Sequence, residues 1–471
     1  MRRARFRDPC EILRNDTRNA YPLRETLTTE AGERPTGVVE MMQRGLKAVT
    51  ATALTVGLTA IAACSSGGSE VQESQDPASA TGTLRVVVPN FPANNVGQAV
   101  FQGIVDIFHK TYPQMKVEPD FVPYDNLNEK ISTSLAAGNN YDVVSAGIGW
   151  VQPLADLGAI QSLTKLGVST EDLEKSVYPA FVAPMKYQDE LYAVPVVANP
   201  RLLAYSKSAF AEAGLDPANP PQSLAELRED AKKLTKRDAK GQITRTGFDF
   251  WAPASNYRQQ FVAFLGAKGG EMFTADGQPA FNGDQGVEAL QLIHDMVSVD
   301  KSSRYGYQNS AKTALVTTGE AAIGFASPYV DCSTGGDGIG DKCKDLVYFN
   351  LKDTKEVMYV GGRVAAVGEG TKYPQAALAF VKAMQDQKSQ EAISKLDVGV
   401  PISNDAGDSA FVKSNPAGSF AWKNLDKAIF EYGGATFLDF RAKFGPSLDE
   451  VILGRKSPQD VLKELDSVAR K

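Results

Sequence analysis

The chain has 471 residues, enough for two or three domains of ordinary size, and 43% hydrophobic with 23% charged residues is the balance of a folded globular protein. A formal net charge of −6 argues against a nucleic-acid partner, which needs a basic face. Two His and four Cys poorly supply a zinc-rich or disulfide-dense scaffold, and equally a His-based catalytic or metal triad.

Residues 1–40 are rich in Arg, lack Lys and show no hydrophobic period. They precede a segment built like a signal peptide, over residues 41–63. MMQRGLK supplies Arg44 and Lys47, and AVTATALTVGLTAIAA follows as an apolar stretch of about 16 residues, short of the ~20 that span a bilayer. It ends Ile61-Ala62-Ala63-Cys64, small residues before a Cys that resemble a bacterial lipobox. Cleavage there would leave a lipid on Cys64; the plainer alternative is an ordinary signal peptide with a chance Cys. Residues 1–40 then read as a start-site misassignment, with translation from Met41 or Met42; a cytoplasmic basic arm is the rival. Residues 64–82 form a polar, Ser- and Gly-containing tether, with a reach of roughly 20–25 Å for ~18 such residues.

From Thr83 onward, strand and helix patterns alternate. TLRVVVPN is a β-branched run, and VGQAVFQGIVDIFHKTYP carries Val100, Ile104, Ile107 and Phe108 at helical spacing before a Pro stop. MKVEPDFVPY, YDNLNEKISTSLAAGN, YDVVSAG and WVQPLADLGAI continue the alternation as strand, helix, strand and short helix. This start predicts an α/β fold with a mostly parallel sheet. Ligands of such sheets gather at the carboxyl ends of the strands. That rule brings Asn90, Phe91, Tyr124 and Trp150 to a common rim. QDELYAVPVVANPRLLAYSK reads as strand, turn and strand, and EVMYVGGRVAAVGEG as a strand pair; the C-terminal third reads as mainly helical.

Several segments together resemble the extracytoplasmic solute-binding proteins of ABC importers, in the carbohydrate-binding group related to maltose-binding protein. The resemblance is carried by LRVVVPN, YDVVSAGIGWVQPLADLGAIQSL, LYAVPVVANPRLLAYSKSAFAEAGLDP, FNGDQGVEALQLIHDMV, TTGEAAIGFASPYV and GGRVAAVGEGTKYPQAALAFVKAM, in that order. Tyr329 departs from it, where relatives often carry Trp. The resemblance implies a two-lobed periplasmic-binding-protein fold (type II), hinged by crossover strands. Residues 82–197 plus 358–402 would form lobe one, and 198–357 plus 403–471 lobe two. It implies a non-enzymatic receptor without a cofactor or metal. Anchored through Cys64 to the outer face of the cytoplasmic membrane, it would act as a monomer and pass a di- or oligosaccharide to ABC permease subunits. Two alternatives stay open. One is an extracytoplasmic glycosidase, which needs paired carboxylates in no motif seen here. The other is a receptor for a non-sugar polyol such as a glycerol phosphodiester.

A sugar has C–H faces that suit flat aromatics and a hydroxyl edge that suits polar groups. The aromatic candidates are Phe91, Tyr124, Trp150, Phe250, Trp251, Tyr329 and Trp422; core packing is the alternative for each. The polar candidates are Asn90, Asn199, Arg201 and Arg363, with Asp142 read rather as tying down a helix start. An interlobe salt bridge is the rival role for Arg201. Gly361 and Gly362 either bring backbone N–H groups to a ligand or form a tight turn. Cys332 and Cys343 bracket a Gly/Asp-rich loop; in an oxidising exterior they are expected to form a disulfide, with two free thiols as the alternative.

Overall fold

A computed structural model describes residues 76–470, apart from 90, 92–93, 252–253, 275–276, 309–312 and 334–337, with backbone alone over 254–256. The signal segment, Cys64 and Asn90 lie outside the described residues. β1 (Gly82–Pro89), α1 (Asn95–Phe108), β2 (Met115–Val122), α2 (Tyr124–Ala136) and β3 (Val143–Gly147) follow in the expected order. β1 pairs in parallel with both β2 and β3. Its Leu84, Val86, Val87 and Val88 are all buried, and the consecutive Val86–Val88 mark a strand covered on both faces. α1 starts where the Asn94 side chain accepts from the Val96 and Gly97 N–H groups at 3.1 Å, and it buries Phe101, Ile104, Val105 and Phe108 on one stripe.

Two long antiparallel strands, Val194–Ser206 and Glu356–Val367, run through the centre of the molecule. At about 3.3 Å per residue, the first is roughly 40 Å long. Its N-terminal half pairs with Glu356–Val367, which also pairs with β3; its C-terminal half pairs with Ala321–Ala326, and that strand pairs in parallel with Ile243–Asp249. A third segment, Ala428–Ile429, runs beside Met358–Tyr359. Both long strands depart from the sequence expectation. Asn199-Pro200 and Gly361-Gly362 are not turns but strand interiors that pair with each other, Gly361 opposite Asn199 and Val360 opposite Pro200.

Among the described residues, the hydrophobic interior divides into two large clusters and a small third one of Ala204, Ala314, Val316, Ala326 and Leu346. One large cluster gathers β1–β3, α1 and the Pro374–Gln385 helix, and the other gathers Phe248, Phe264, Phe281, Phe325, Phe440 and Phe444. On the first long strand the change falls between Leu202 and Leu203, and on the second around Val357–Val360. Ala417, Ala421 and Leu425 pack in the first cluster, although the sequence reading gave residues 403–471 wholly to lobe two. Asn415, which caps their helix, donates from Nδ2 to the Val330 carbonyl at 2.9 Å and helps hold it there. Cys332 and Cys343 are joined as a disulfide with Cα atoms 5.7 Å apart. No helix among the described residues is long and apolar enough to cross a membrane.

Candidate functional site

Where the long strands pass from one core cluster to the other, they floor a cavity of about 490 Å³. The first-cluster wall comes from Tyr124 at the start of α2 and from the turn Ile148–Trp150 that follows β3. The Tyr124 and Trp150 rings lie 6.1 Å apart. Asn199, Arg201 and Tyr359–Gly362 form the floor, and Gln259, Phe437 and Arg441 the opposite wall. Gly362 is required here. Its φ is +157°, and a Cβ would stand 2.3 Å from the Val197 carbonyl oxygen and 2.9 Å from Ile148 Cδ1. Gly149 marks a second close approach, since a Cβ there would lie 2.2 Å from the Glu431 carbonyl oxygen.

The charges around the cavity differ in how they are satisfied. Arg363 is 1% exposed and grips the Asp397 carboxylate from Nε and Nη2 at 2.7 and 2.8 Å, while Nη1 donates to the Pro89 carbonyl at 2.7 Å. Arg258 holds Glu431 in the same way, and the Tyr359 hydroxyl donates to that carboxylate at 2.8 Å. Burial pulls both guanidinium pKa values down, but the facing carboxylates outweigh it and the net direction is upward. Arg201 donates from Nε to Gln259 Oε1 at 2.8 Å and lies 5.0 Å over the Trp251 ring. Arg441 lies 5.7 Å over the Trp150 ring. Burial lowers the pKa of both Arg201 and Arg441, and it raises those of Tyr124 and Tyr359.

Of the residues singled out from sequence, Tyr124, Trp150, Asn199, Arg201, Gly361 and Gly362 line this cavity, and Trp251 stands behind Arg201. The others lie elsewhere. Phe91 packs in the first core beside Phe101 and Phe121, and Phe250 is fully buried between Phe248 and Tyr257. Trp422 packs against Tyr178 and over Gly407, and Tyr329 is an exposed ring stacked on Phe411. Arg363 is a buried strut whose partner Asp397, not itself, reaches the cavity. Asp142 accepts from the Arg85 N–H at 2.7 Å and the Thr371 hydroxyl at 2.5 Å, so it ties β1 to a loop rather than a helix start. Sequence reasoning missed Gln259, Asp397, Glu431, Phe437 and Arg441. For Arg441 a signal existed: it follows Phe437 by four and precedes Phe444 by three, which puts a cation beside a buried helical stripe.

A larger hollow of about 1030 Å³ lies between Lys186–Asp189 and Phe430–Gly434, but the convergence of guanidinium, carboxylate and aromatic groups is found at the strand crossing. Residues 103–420, well over half of the chain, match the family of bacterial extracellular solute-binding proteins. The chain belongs to this family. This solute-binding protein is similar in fold to the GacH receptor of Streptomyces glaucescens, with 21% identity, 83% of this chain and 98% of that chain covered, and a TM-score of 0.65. It is 25% identical over 276 residues to a mannitol-binding protein of Pseudomonas aeruginosa, covering 54% of this chain and 56% of that one. It is 27% identical over 268 residues to the sn-glycerol-3-phosphate-binding periplasmic protein UgpB of Rhizobium meliloti, covering 55% and 56%. The chain thus spans about half the length of the curated relatives it matches. The two-lobed periplasmic-binding-protein fold is shared, the family consists of binding proteins, and membership places this one outside the cytoplasm.

Proposed function

We propose that this solute-binding protein captures a sugar or polyol in the cavity between its two lobes and delivers it to the membrane subunits of an ABC importer. The carrying observation is the composition of that cavity. Two aromatic rings, Tyr124 and Trp150, stand on one side, and polar groups of Asn199, Arg201 and Gln259 face them across a floor of strand backbone. The rings suit the C–H face of a polyol, and the polar groups suit its hydroxyl edge. Relatives named for mannitol and sn-glycerol 3-phosphate, and a structural neighbour studied with acarbose, support this class of solute. Binding is coupled to closure about the long strands, because only the closed state meets the solute from both lobes.

In this reading the mature chain is a monomer tethered through a lipid on Cys64, with translation from Met41 or Met42. A glycosidase is disfavoured, since it needs a pair of carboxylates, and of the three in the lining Asp397 and Glu431 are each engaged by a buried guanidinium, which leaves Asp125 alone. A thermal-shift screen with maltose, mannotriose, mannitol and sn-glycerol 3-phosphate tests the proposal. A solute at 100 times its Kd stabilises by about 2.7 kcal/mol. The expected result is an upward Tm shift with at least one of them and no product after long incubation. Turnover, or no shift across a broader saccharide and polyol panel, would contradict it.

A further inference from the structure

Two guanidiniums, of Arg201 and Arg441, line the cavity, and two more, of Arg258 and Arg363, are buried behind its carboxylates; only the latter two have anions of their own. Arg258 is neutralised by Glu431 and Arg363 by Asp397. Among the described residues, the Arg201 side chain makes one hydrogen bond, to a neutral amide, and the Arg441 side chain makes no hydrogen bond or ion pair. Each instead lies over an indole ring, Trp251 or Trp150, an arrangement that orients the guanidinium plane and leaves its edge N–H groups to a ligand. The remaining carboxylate of the lining, Asp125, is exposed at the first turn of α2, where solvent and salt screen it. The cavity therefore holds two cations in excess of its enclosed anions.

A guanidinium held away from water without a counter-charge is costly. A purely neutral sugar would leave that cost in place in the closed state. We propose that the solute bears an anionic group, a carboxylate or a phosphate on a sugar or polyol, received by Arg201 and Arg441. This deepens the receptor reading of the same cavity and rests on it. The lowered pKa values of these two arginines, against the raised ones of Arg258 and Arg363, agree with the contrast in pairing. Because Arg441 reaches across to a ring of the other lobe, an anion held there also favours closure.

The test is calorimetric titration of the whole mature chain with matched pairs: glycerol against sn-glycerol 3-phosphate, galactose against galacturonate, and mannitol against mannitol 1-phosphate, with inorganic phosphate alone as a further arm. In at least one pair the anion is expected to bind on the order of 100-fold more tightly than its neutral partner, as charge-assisted hydrogen bonds would give. Tightest binding by the phosphates assigns the group as phosphate, and by galacturonate as carboxylate. Arg441→Met and Arg201→Met are each expected to bring that ratio down by at least tenfold. Equal or tighter binding of the neutral partner in every pair would overturn the anion proposal and leave the receptor reading standing. Failure of every probe here, together with no response to the broader saccharide and polyol panel, would overturn both. Should a Met variant fold poorly, the wild-type ratios still decide.

Discussion

The Arg441 guanidinium lies 5.7 Å over the ring of Trp150, and this contact joins a helix of the second core to the turn that ends β3 in the first. Both residues line the cavity, and a cation–π contact of this kind contributes about 1 kcal/mol. Trp150→Phe keeps an aromatic in the pocket and weakens that contact. Scattering of the unliganded protein is expected to show a larger radius of gyration in the variant. The solute Kd should rise about fivefold to tenfold. An unchanged radius and Kd would show that the contact does not hold the lobes together.

Gly362 lets the strand crossing pack. With φ at +157° and a Cβ only 2.3 Å from the Val197 carbonyl oxygen, Gly362→Ala cannot be accommodated without shifting one of the two central strands. Strain of this size costs roughly 3 kcal/mol. The Tm of the variant is expected to fall by at least ~5 °C in a calorimetric scan. The neighbouring Gly361, whose Cβ would meet its nearest atom at 3.7 Å, should tolerate Ala far better.

The Arg363–Asp397 pair holds the Glu356–Val367 strand to the Gln387–Asp397 helix and, through the Pro89 carbonyl, to β1. Arg363→Met leaves the carboxylate and that carbonyl without their donor. Breaking such a pair by removing one partner costs about 3–5 kcal/mol, whereas replacing both with apolar groups costs much less. Urea unfolding is expected to show a large loss for Arg363→Met and a partial recovery in Arg363→Met/Asp397→Leu. Equal stability of the single variant and wild type would contradict the strut role.

Asp249 links the site to pH. It accepts from the Trp251 and Leu315 N–H groups at 2.9 and 3.0 Å, and burial pushes its carboxyl up from 3.8 to about 6 despite those bonds. The folded protein therefore holds this proton more tightly than the unfolded chain does. The associated stability is fully present below about pH 4 and is lost as pH rises through about 6, in total roughly 2–3 kcal/mol. Urea midpoints measured from pH 4 to pH 7 should fall through this window more steeply in wild type than in Asp249→Asn. Identical slopes would remove Asp249 as the cause. Trp251 itself has φ at +50°, unusual for a residue with a side chain, so loss of the Asp249 acceptor should also loosen the indole under Arg201.

The opening β–α–β–α–β of lobe one was legible because β1 and α1 state their burial directly, through the consecutive Val86–Val88 and an apolar stripe. The through-running strands were not. Asn199-Pro200 and Gly361-Gly362 carry the residues of turns, and only their pairing with each other keeps both strands extended. For the site, Trp150, Tyr124 and Arg201 follow from strand ends and the crossover, since the fold brings those points together. Phe250 misled because its position just past a strand end resembles that of Trp150, yet the second core closes over it. Glu431 comes from a C-terminal segment whose charge looks like a surface charge until the second lobe folds it against the strand crossing, whereas Arg441 could have been found from its spacing to Phe437 and Phe444.

The central claim, that a sugar or polyol sits where the two long strands cross, is tested most directly by a crystal structure of the protein with the solute that raises its Tm most. The account predicts that solute between Trp150 and Arg201, in contact with Asn199 and the backbone of Gly361. A solute bound in the larger hollow beside Tyr432, or on the outer surface of either lobe, would contradict it.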